Sequence, residues 1–346
     1  MAEDRRTRDR DEFRFLPPER QRWQKLKFVP IPSAPSPIDA LLVLATLVWG
    51  ANYAIVKTAL RQIPELSFNA LRLAVASALF LAVLAFHPAP APGTPGNAGR
   101  WFPTARLFTG REWLALAGLG VTGHFLYQLC FLGSVARTSV ANSSLILSTS
   151  PVVISLLSAA VGHERVSRLQ WAGAAVSLSG IYLLVGTGAA LSRESLLGDV
   201  LMIGGVACWA MYVVGSVPLL RRHSPIALTG YTMSIGSALY LLFSARDLAR
   251  LDVAGVAWTS WGALAFSAVF ALFAAYIVWH TAIQRIGNVR TAMYSNLIPV
   301  TALATAVLFL GDRLTPRQVL GAGAVLAGVA LTRLRGAWRA GLPAEE

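Results

Sequence analysis

Two sets of side chains inside otherwise apolar stretches share a spacing that could build a binding site. Trp49, Asn52 and Tyr53 follow i, i+3, i+4, and His124, Tyr127 and Gln128 repeat that spacing, so each set shares one face of a helix. Further apolar stretches carry Asn142 with Ser143 and Ser144, Trp209 with Tyr212, Tyr276 with His280, and Thr291, Tyr294, Ser295 and Asn296. A polar group within an apolar span is costly unless it meets a partner or a cavity. Pooled, these residues predict a pocket with aromatic walls and hydrogen-bonding sides, suited to a neutral or zwitterionic organic solute.

Each assignment has a competitor. Trp49 and Trp209 sit midway along their spans, which favours a cavity over an interfacial anchor. Ser143, Ser144 and Ser295 are read as bonding their own backbone or permitting close helix packing. His280 falls near a span end and reads as a capping or interface residue. His124, an imidazole among aromatics, fits a neutral hydrogen-bond partner, a ligand contact or a proton carrier. Lys57 and Arg72 lie toward the outer ends of neighbouring spans and are read as reaching the headgroups, with a solute carboxylate as the other reading.

Other chemistries lack their residues. The five histidines show no HxxxH, HExxH or Cys/His spacing, so neither a metal site nor a cofactor is expected. Cys130 and Cys208, each within an apolar span, read as packed thiols. Neither a GxSG with a distant histidine nor a GxGD is present in a setting for intramembrane catalysis, so the chain is not read as an enzyme. No Asp or Glu falls in the central third of any span, which argues against a carboxylate site for a coupling ion. A facilitator, or an exporter weakly linked to protons through His124, is expected.

The elements that must position these residues are membrane spans. Of 346 residues 55% are hydrophobic and only 14% charged, with a mean hydropathy of +0.56. A soluble domain carries about 25% charged residues. The apolar blocks run roughly 18 to 22 residues, the helical length that crosses a hydrocarbon core of about 30 Å. They fall near 40–60, 66–86, 113–133, 139–161 and 168–186, then 197–217, 226–244, 257–281, 289–310 and 316–334, five in each half.

The net charge of +13 follows the membrane rather than nucleic acid. With the amino terminus in the cytoplasm, 21 of the 30 Lys and Arg lie inside, nine of them before Asp39. The positive-inside rule therefore places both termini in the cytoplasm. Residues 1–38 mix both charges and then turn Pro/Ser-rich, which predicts a disordered cytoplasmic tail rather than a cleavable signal. A Pro/Gly-rich stretch at 87–110 reads as a flexible cytoplasmic loop.

The two halves repeat. Thirteen residues beyond Pro151 stand Glu164 and Arg165, and thirteen beyond Pro299 stand Asp312 and Arg313. Gly173 and Gly180 recur as Gly321 and Gly328, at a constant offset of 148. An odd number of spans per copy sends the second copy through the membrane from the opposite side. The expected fold is an all-α integral membrane protein of ten transmembrane helices, arranged as two inverted-topology five-helix repeats. Their bounds are 39–187 and 188–335, with a short cytoplasmic tail at 336–346. Pro151 and Pro299, inside spans four and nine, are expected to bend paired helices and serve as gating hinges. Glu164 and Asp312 are read as capping the helices that follow, or as pairing with Arg165 and Arg313. Small-residue faces at Gly173/Ser177 and Ala324/Gly328 suit close helix contacts, within one chain or across a homodimer.

Certain residues carry a resemblance. They are Trp49-Gly50-Ala51-Asn52-Tyr53 with Lys57, Ala70-Leu71-Arg72, and the block from Ser148-Thr149-Ser150-Pro151 through His163-Glu164-Arg165 to Gly173. The second half supplies Gly198-Asp199, Cys208-Trp209-Ala210, Asn296-Leu297-Ile298-Pro299 and Gly311-Asp312-Arg313 through Gly321. Over residues 40–335 the chain resembles the drug/metabolite transporter superfamily, EamA type. It departs at Asp312, where that family commonly has Glu. The resemblance implies a ten-helix multi-pass carrier of the cell inner membrane, usually an exporter of amino acids, drugs or other small organic metabolites by alternating access. Its partners would be a small-molecule substrate and the lipid bilayer, with no nucleic acid. The same fold also suits a carrier of phosphorylated, nucleotide-linked or lipid-linked sugars, or a non-transporting receptor or scaffold. The sugar anions would call for several cations deep in the cavity, where only Lys57 and Arg72 come near.

Overall fold

A computed structural model of the chain describes residues 37–86, 108–161 and 193–311, with scattered positions between 171 and 183 and between 315 and 331. Every regular element among the described residues is helical. Residues 1–36, 87–107 and 336–346, the expected Glu164-Arg165 and Asp312-Arg313 turns, most of span five and part of span ten lie outside the described residues.

The long helices follow the apolar blocks closely. Helix α1 is Pro37–Ala59, α2 is Glu65–Phe86, and α3 runs unbroken over Gly110–Arg137. Next come α4 (Val140–Leu147) and α5 (Ser150–Ala160), then α6 (Arg193–Leu220), α7 (Pro225–Phe243) and α8 (Trp258–Ile286). Helices α9 (Asn288–Met293) and α10 (Leu297–Thr305) follow. Counting Asn142–Ala160 as one, seven helices among the described residues are long and apolar enough to cross a membrane. Helix α1 begins at Pro37, within the expected tail, because the Pro-Ile-Asp run opens the helix and buries Ile38 and Asp39.

Local chemistry sets the helix starts. At α3, the Thr109 hydroxyl accepts from the Glu112 amide while the Glu112 carboxylate accepts from the Thr109 amide, a reciprocal cap that satisfies two otherwise orphaned donors. Ser139 caps α4 by accepting from the Asn142 amide, and Ser224 caps α7 by accepting from the Ala227 amide, with Pro225 at the first helical position. The turn from α8 to α9 passes through Gly287 at φ 86°, a conformation that favours glycine.

Two irregularities recur in the two halves. Helix α3 widens into a π-helical segment at Val121–Leu126, and α8 does so at Ser267–Ala274. Such segments shift the register of the faces on either side and are frequent at functional sites. The second irregularity is a break ahead of Pro151 and of Pro299. Ser148 and Thr149 separate α4 from α5, and a 3₁₀ turn at Tyr294–Asn296 separates α9 from α10. Pro151 and Pro299 thus lie in the first turn of α5 and α10, where a missing N–H costs nothing, and the bend itself sits two to five residues earlier. Hydroxyls donate to carbonyls beside each break: Ser148 to Leu145, Thr149 to Ile146, Ser295 to Ala292.

The helices pack α3 on α6, α2 on α7, and α1 on α10 and α8. Gly50 allows the close approach of α1 to α10, since a Cβ there would stand 2.4 Å from Thr301 and 2.9 Å from the Ile298 carbonyl oxygen. Tyr53, Phe68, Phe80, Tyr212, Tyr240 and Trp279 are fully buried in the interior. Cys130 and Cys208 are free thiols, each partly buried.

Candidate functional site

Helices α1, α2, α3, α6 and α8 converge on an interior cavity, closed on one side by the two helix breaks. About 550 Å³ of atom-free space, part of it open to solvent, lies between its walls, and about 40 Å³ of it has room for the centre of a water-sized sphere. Helix α1 contributes Trp49, Asn52 and Tyr53; α3 contributes Tyr127, Gln128 and Phe131; α6 contributes Trp209; and α8 contributes Tyr276 and Trp279. The break regions add Leu147 and Ser150 on one side and Ser295 and Ile298 on the other.

The aromatic wall is continuous. The Trp49 ring lies 6.1 Å from Trp209, 5.9 Å from Tyr276 and 5.1 Å from Trp279, mostly edge to face or tilted. Trp209 in turn meets Tyr127 at 5.2 Å and Trp279 at 5.9 Å, and Tyr53 meets Phe131 at 5.3 Å. The Trp49 indole N–H donates to the Ala271 carbonyl at 2.8 Å, inside the π-helical segment of α8. One side chain of the first half thus clamps the irregular turn of the second.

Arg72 differs from its expected place at the headgroups. It is 1% exposed and lines the cavity. It stands seven residues into α2, roughly 10 Å along a helix rising about 1.5 Å per residue, with its side chain turned inward. Its Nε donates to Asn69 Oδ1 at 2.6 Å, Nη1 to Ser267 Oγ at 2.8 Å and Nη2 to Gln128 Oε1 at 2.6 Å. These bonds tie α2, α3 and the π-helical start of α8 together. The Phe68 and Phe131 rings flank the guanidinium at 5.8 and 5.7 Å. Asn69 three residues earlier is the sequence signal that an inward polar face existed.

Lys57 also differs from its expected role. Its ammonium donates to the carbonyls of Val135 (2.6 Å), Ala136 (3.2 Å) and Thr138 (2.9 Å), capping the end of α3 where the helix dipole favours a cation. At the same end of the bundle Arg137 pairs with Glu65 at 2.7 Å.

Seven of the sequence-predicted residues, Trp49, Asn52, Tyr53, Tyr127, Gln128, Trp209 and Tyr276, meet around this cavity. Others are engaged elsewhere. His124 Nε2 lies 3.0 Å from the Tyr212 hydroxyl, which lies 3.2 Å from Thr232 Oγ1, a buried chain behind the wall between α3, α6 and α7. His280, expected at an end, is fully buried in α8, with Nδ1 3.2 Å from Thr229 Oγ1. Asn142 and Thr138 donate to the buried Asp199 carboxylate, and Tyr294 donates to Asp39. The Asn296 side chain lies outside the described residues. Arg72 lines the wall deeper than the headgroup position expected of it, and Phe131 and Trp279 complete the wall without having been expected there.

The EamA-like transporter family matches residues 36–186 and again 196–334. The chain is 27% identical over 295 residues to an uncharacterized transporter of Archaeoglobus fulgidus, spanning 84% of this chain and 96% of that protein. It is 26% identical over 301 residues to a protein of Salmonella typhimurium named as a probable amino-acid metabolite efflux pump, spanning 84% of this chain and 92% of the relative. A solved structure described only as the crystal structure of a protein superposes with a TM-score of 0.61 at 18% identity, over 86% of this chain and 97% of the other, a likeness of fold.

Proposed function

The chain belongs to the EamA-like transporter family, and we propose that it is a secondary transporter that exports amino acids or other small organic metabolites across the cytoplasmic membrane by alternating access. As a multi-pass transporter it acts on a small molecule and works within a lipid bilayer. The supporting observation is the interior cavity, whose wall is built from both halves and carries ring faces together with Asn52, Tyr53, Gln128 and Arg72. Soluble-type packing would fill such a space with aliphatic side chains; here polar residues line it. Asn52 Oδ1, the Tyr53 hydroxyl and the Trp279 indole nitrogen are buried without a hydrogen-bond partner among the described residues. A bound solute would supply those partners.

In this reading the fold has ten spans in two inverted five-helix repeats, bounded at 39–187 and 188–335, with tails 1–38 and 336–346 and both termini in the cytoplasm. The paired features support it: π-helical segments in α3 and α8, and breaks ahead of Pro151 and Pro299. Two copies that can exchange conformations would open the cavity first to one side and then to the other. The breaks would serve as hinges. The efflux named for the Salmonella typhimurium relative points the same way.

The test is counterflow in proteoliposomes, with labelled amino acids and small metabolites as the pool. Saturable counterflow by the intact chain, reduced in Trp49→Ala, is expected. Flux no greater than in empty liposomes, for protein shown to be folded, would contradict the proposal.

A further inference from the structure

The charge of the cavity wall is unbalanced, and the imbalance specifies the solute. Among the described residues that line the cavity, Arg72 is a cation and none is an acid. A guanidinium stays protonated in proteins. Its three hydrogen-bond acceptors, on Asn69, Ser267 and Gln128, are all neutral. Among the described residues Arg137 pairs with Glu65 and Arg222 with Glu112, at the ends of the bundle, and Arg72 makes no ion pair. The two flanking rings attract the cation through their faces but carry no net charge.

The donors that remain suit an anion. Three of the five guanidinium N–H groups are engaged, so two are left for a further acceptor. Trp279 and Tyr53 line the same cavity, and the indole N–H of one and the hydroxyl of the other lack partners among the described residues. A planar carboxylate matches the guanidinium fork in shape and charge. The rest of the wall is ring surface from Trp49, Trp209 and Tyr276, which accommodates an apolar or aromatic body.

On the reading that this cavity is the transport site, we propose that its preferred solute is an organic monocarboxylate of net charge −1, held by Arg72 and packed among the tryptophan rings. A free amino acid brings an ammonium that no wall carboxylate meets, and leaves the site with a net positive charge. Removing or acylating the amino group removes that mismatch. An amine without a carboxylate adds charge of the wrong sign.

Four probes of similar body separate these cases: 3-phenylpropionate, N-acetylphenylalanine, phenylalanine and phenethylamine. Their binding to the full chain in lipid nanodiscs is followed by quenching of tryptophan fluorescence and by calorimetry. The two monocarboxylates should bind at least about tenfold more tightly than phenylalanine, a difference of about 1.4 kcal/mol, with phenethylamine weakest. Arg72→Gln should abolish that order, while Arg72→Lys keeps it in weakened form. If Arg72→Gln fails to fold, the order of the four probes on the intact chain and in Arg72→Lys still decides. Equal or tighter binding of the zwitterion or the amine, binding of none of the four, or full carboxylate affinity in a folded Arg72→Gln would overturn the proposal. Counterflow of the same probes separates this claim from transport itself. Carboxylate binding without counterflow leaves the charge assignment standing and overturns the transporter reading; counterflow of amines or uncharged solutes without carboxylate preference does the reverse.

Discussion

Trp49 makes two kinds of contact that substitution can separate. Its indole N–H donates to the Ala271 carbonyl, and its ring faces Trp209, Tyr276 and Trp279. Trp49→Phe keeps a ring and removes the donor. A net hydrogen bond is worth about 1 kcal/mol in soluble proteins, and pairs within membranes average about 0.6. If the bond exists only in the conformation seen here, its loss shifts the equilibrium between conformations by about three- to fivefold. Trp49→Ala also removes three ring pairs worth roughly 0.5 to 1.5 kcal/mol each, or about 1.5 to 4.5 kcal/mol if they add. The indole face a solute would cover disappears as well, at about 2 kcal/mol, which corresponds to about a 30-fold loss of apparent affinity. In the counterflow assay Trp49→Phe should therefore leave KM within about threefold and alter the maximal rate, whereas Trp49→Ala raises KM by more than about tenfold. Equal effects of the two substitutions, or an unchanged KM in folded Trp49→Ala, would refute this division of roles.

Pro151→Ala and Pro299→Ala should each restore an N–H able to join the flanking helices, slowing exchange while binding, read by tryptophan quenching, is retained; lost binding with unimpaired exchange would oppose a hinge role. Gly123→Ala would place a Cβ 2.4 Å from the Tyr212 ring and push it off His124, so a stability loss of about 1 to 3 kcal/mol is expected by thermal melting. Asp199→Asn keeps an acceptor for the Thr138 hydroxyl and should be tolerated, whereas Asp199→Ala removes the carboxylate to which buried Thr138 and Asn142 donate and should lower the melting temperature further. Glu112→Gln preserves the reciprocal cap with Thr109 and should melt above Glu112→Ala, which loses it.

Among the described residues seven of the ten expected spans appear as apolar helices long enough to cross a membrane, legible because length and hydropathy alone report a bilayer span. The site was legible where helical geometry was regular: Trp49, Asn52 and Tyr53 do share the face that their spacing predicts. His124 shares that spacing with Tyr127 and Gln128, yet it lies within the π-helical segment Val121–Leu126, and its imidazole meets the Tyr212 hydroxyl. No periodicity rule based on 3.6 residues per turn anticipates such a segment. Trp279 stands three residues after Tyr276, the helical spacing that could have placed it on the same wall. Arg72 was misplaced because the start of a span is where a long cation usually reaches the headgroups, and its inward rotation depends on acceptors from α3 and α8, 56 and 195 residues away. Lys57 was likewise read without the α3 carbonyls that hold it.

Alternating access through this cavity makes one demand that other mechanisms do not, and a single cysteine reads it. With Cys130 and Cys208 replaced by Ser, Ser150→Cys puts a thiol on the buried cavity wall. Reaction with a membrane-impermeant thiol reagent is then measured from each face of sealed vesicles, with and without solute. The account predicts labelling from both faces and protection by solute added on either side; labelling from one face only, or labelling indifferent to every transported solute, would contradict it.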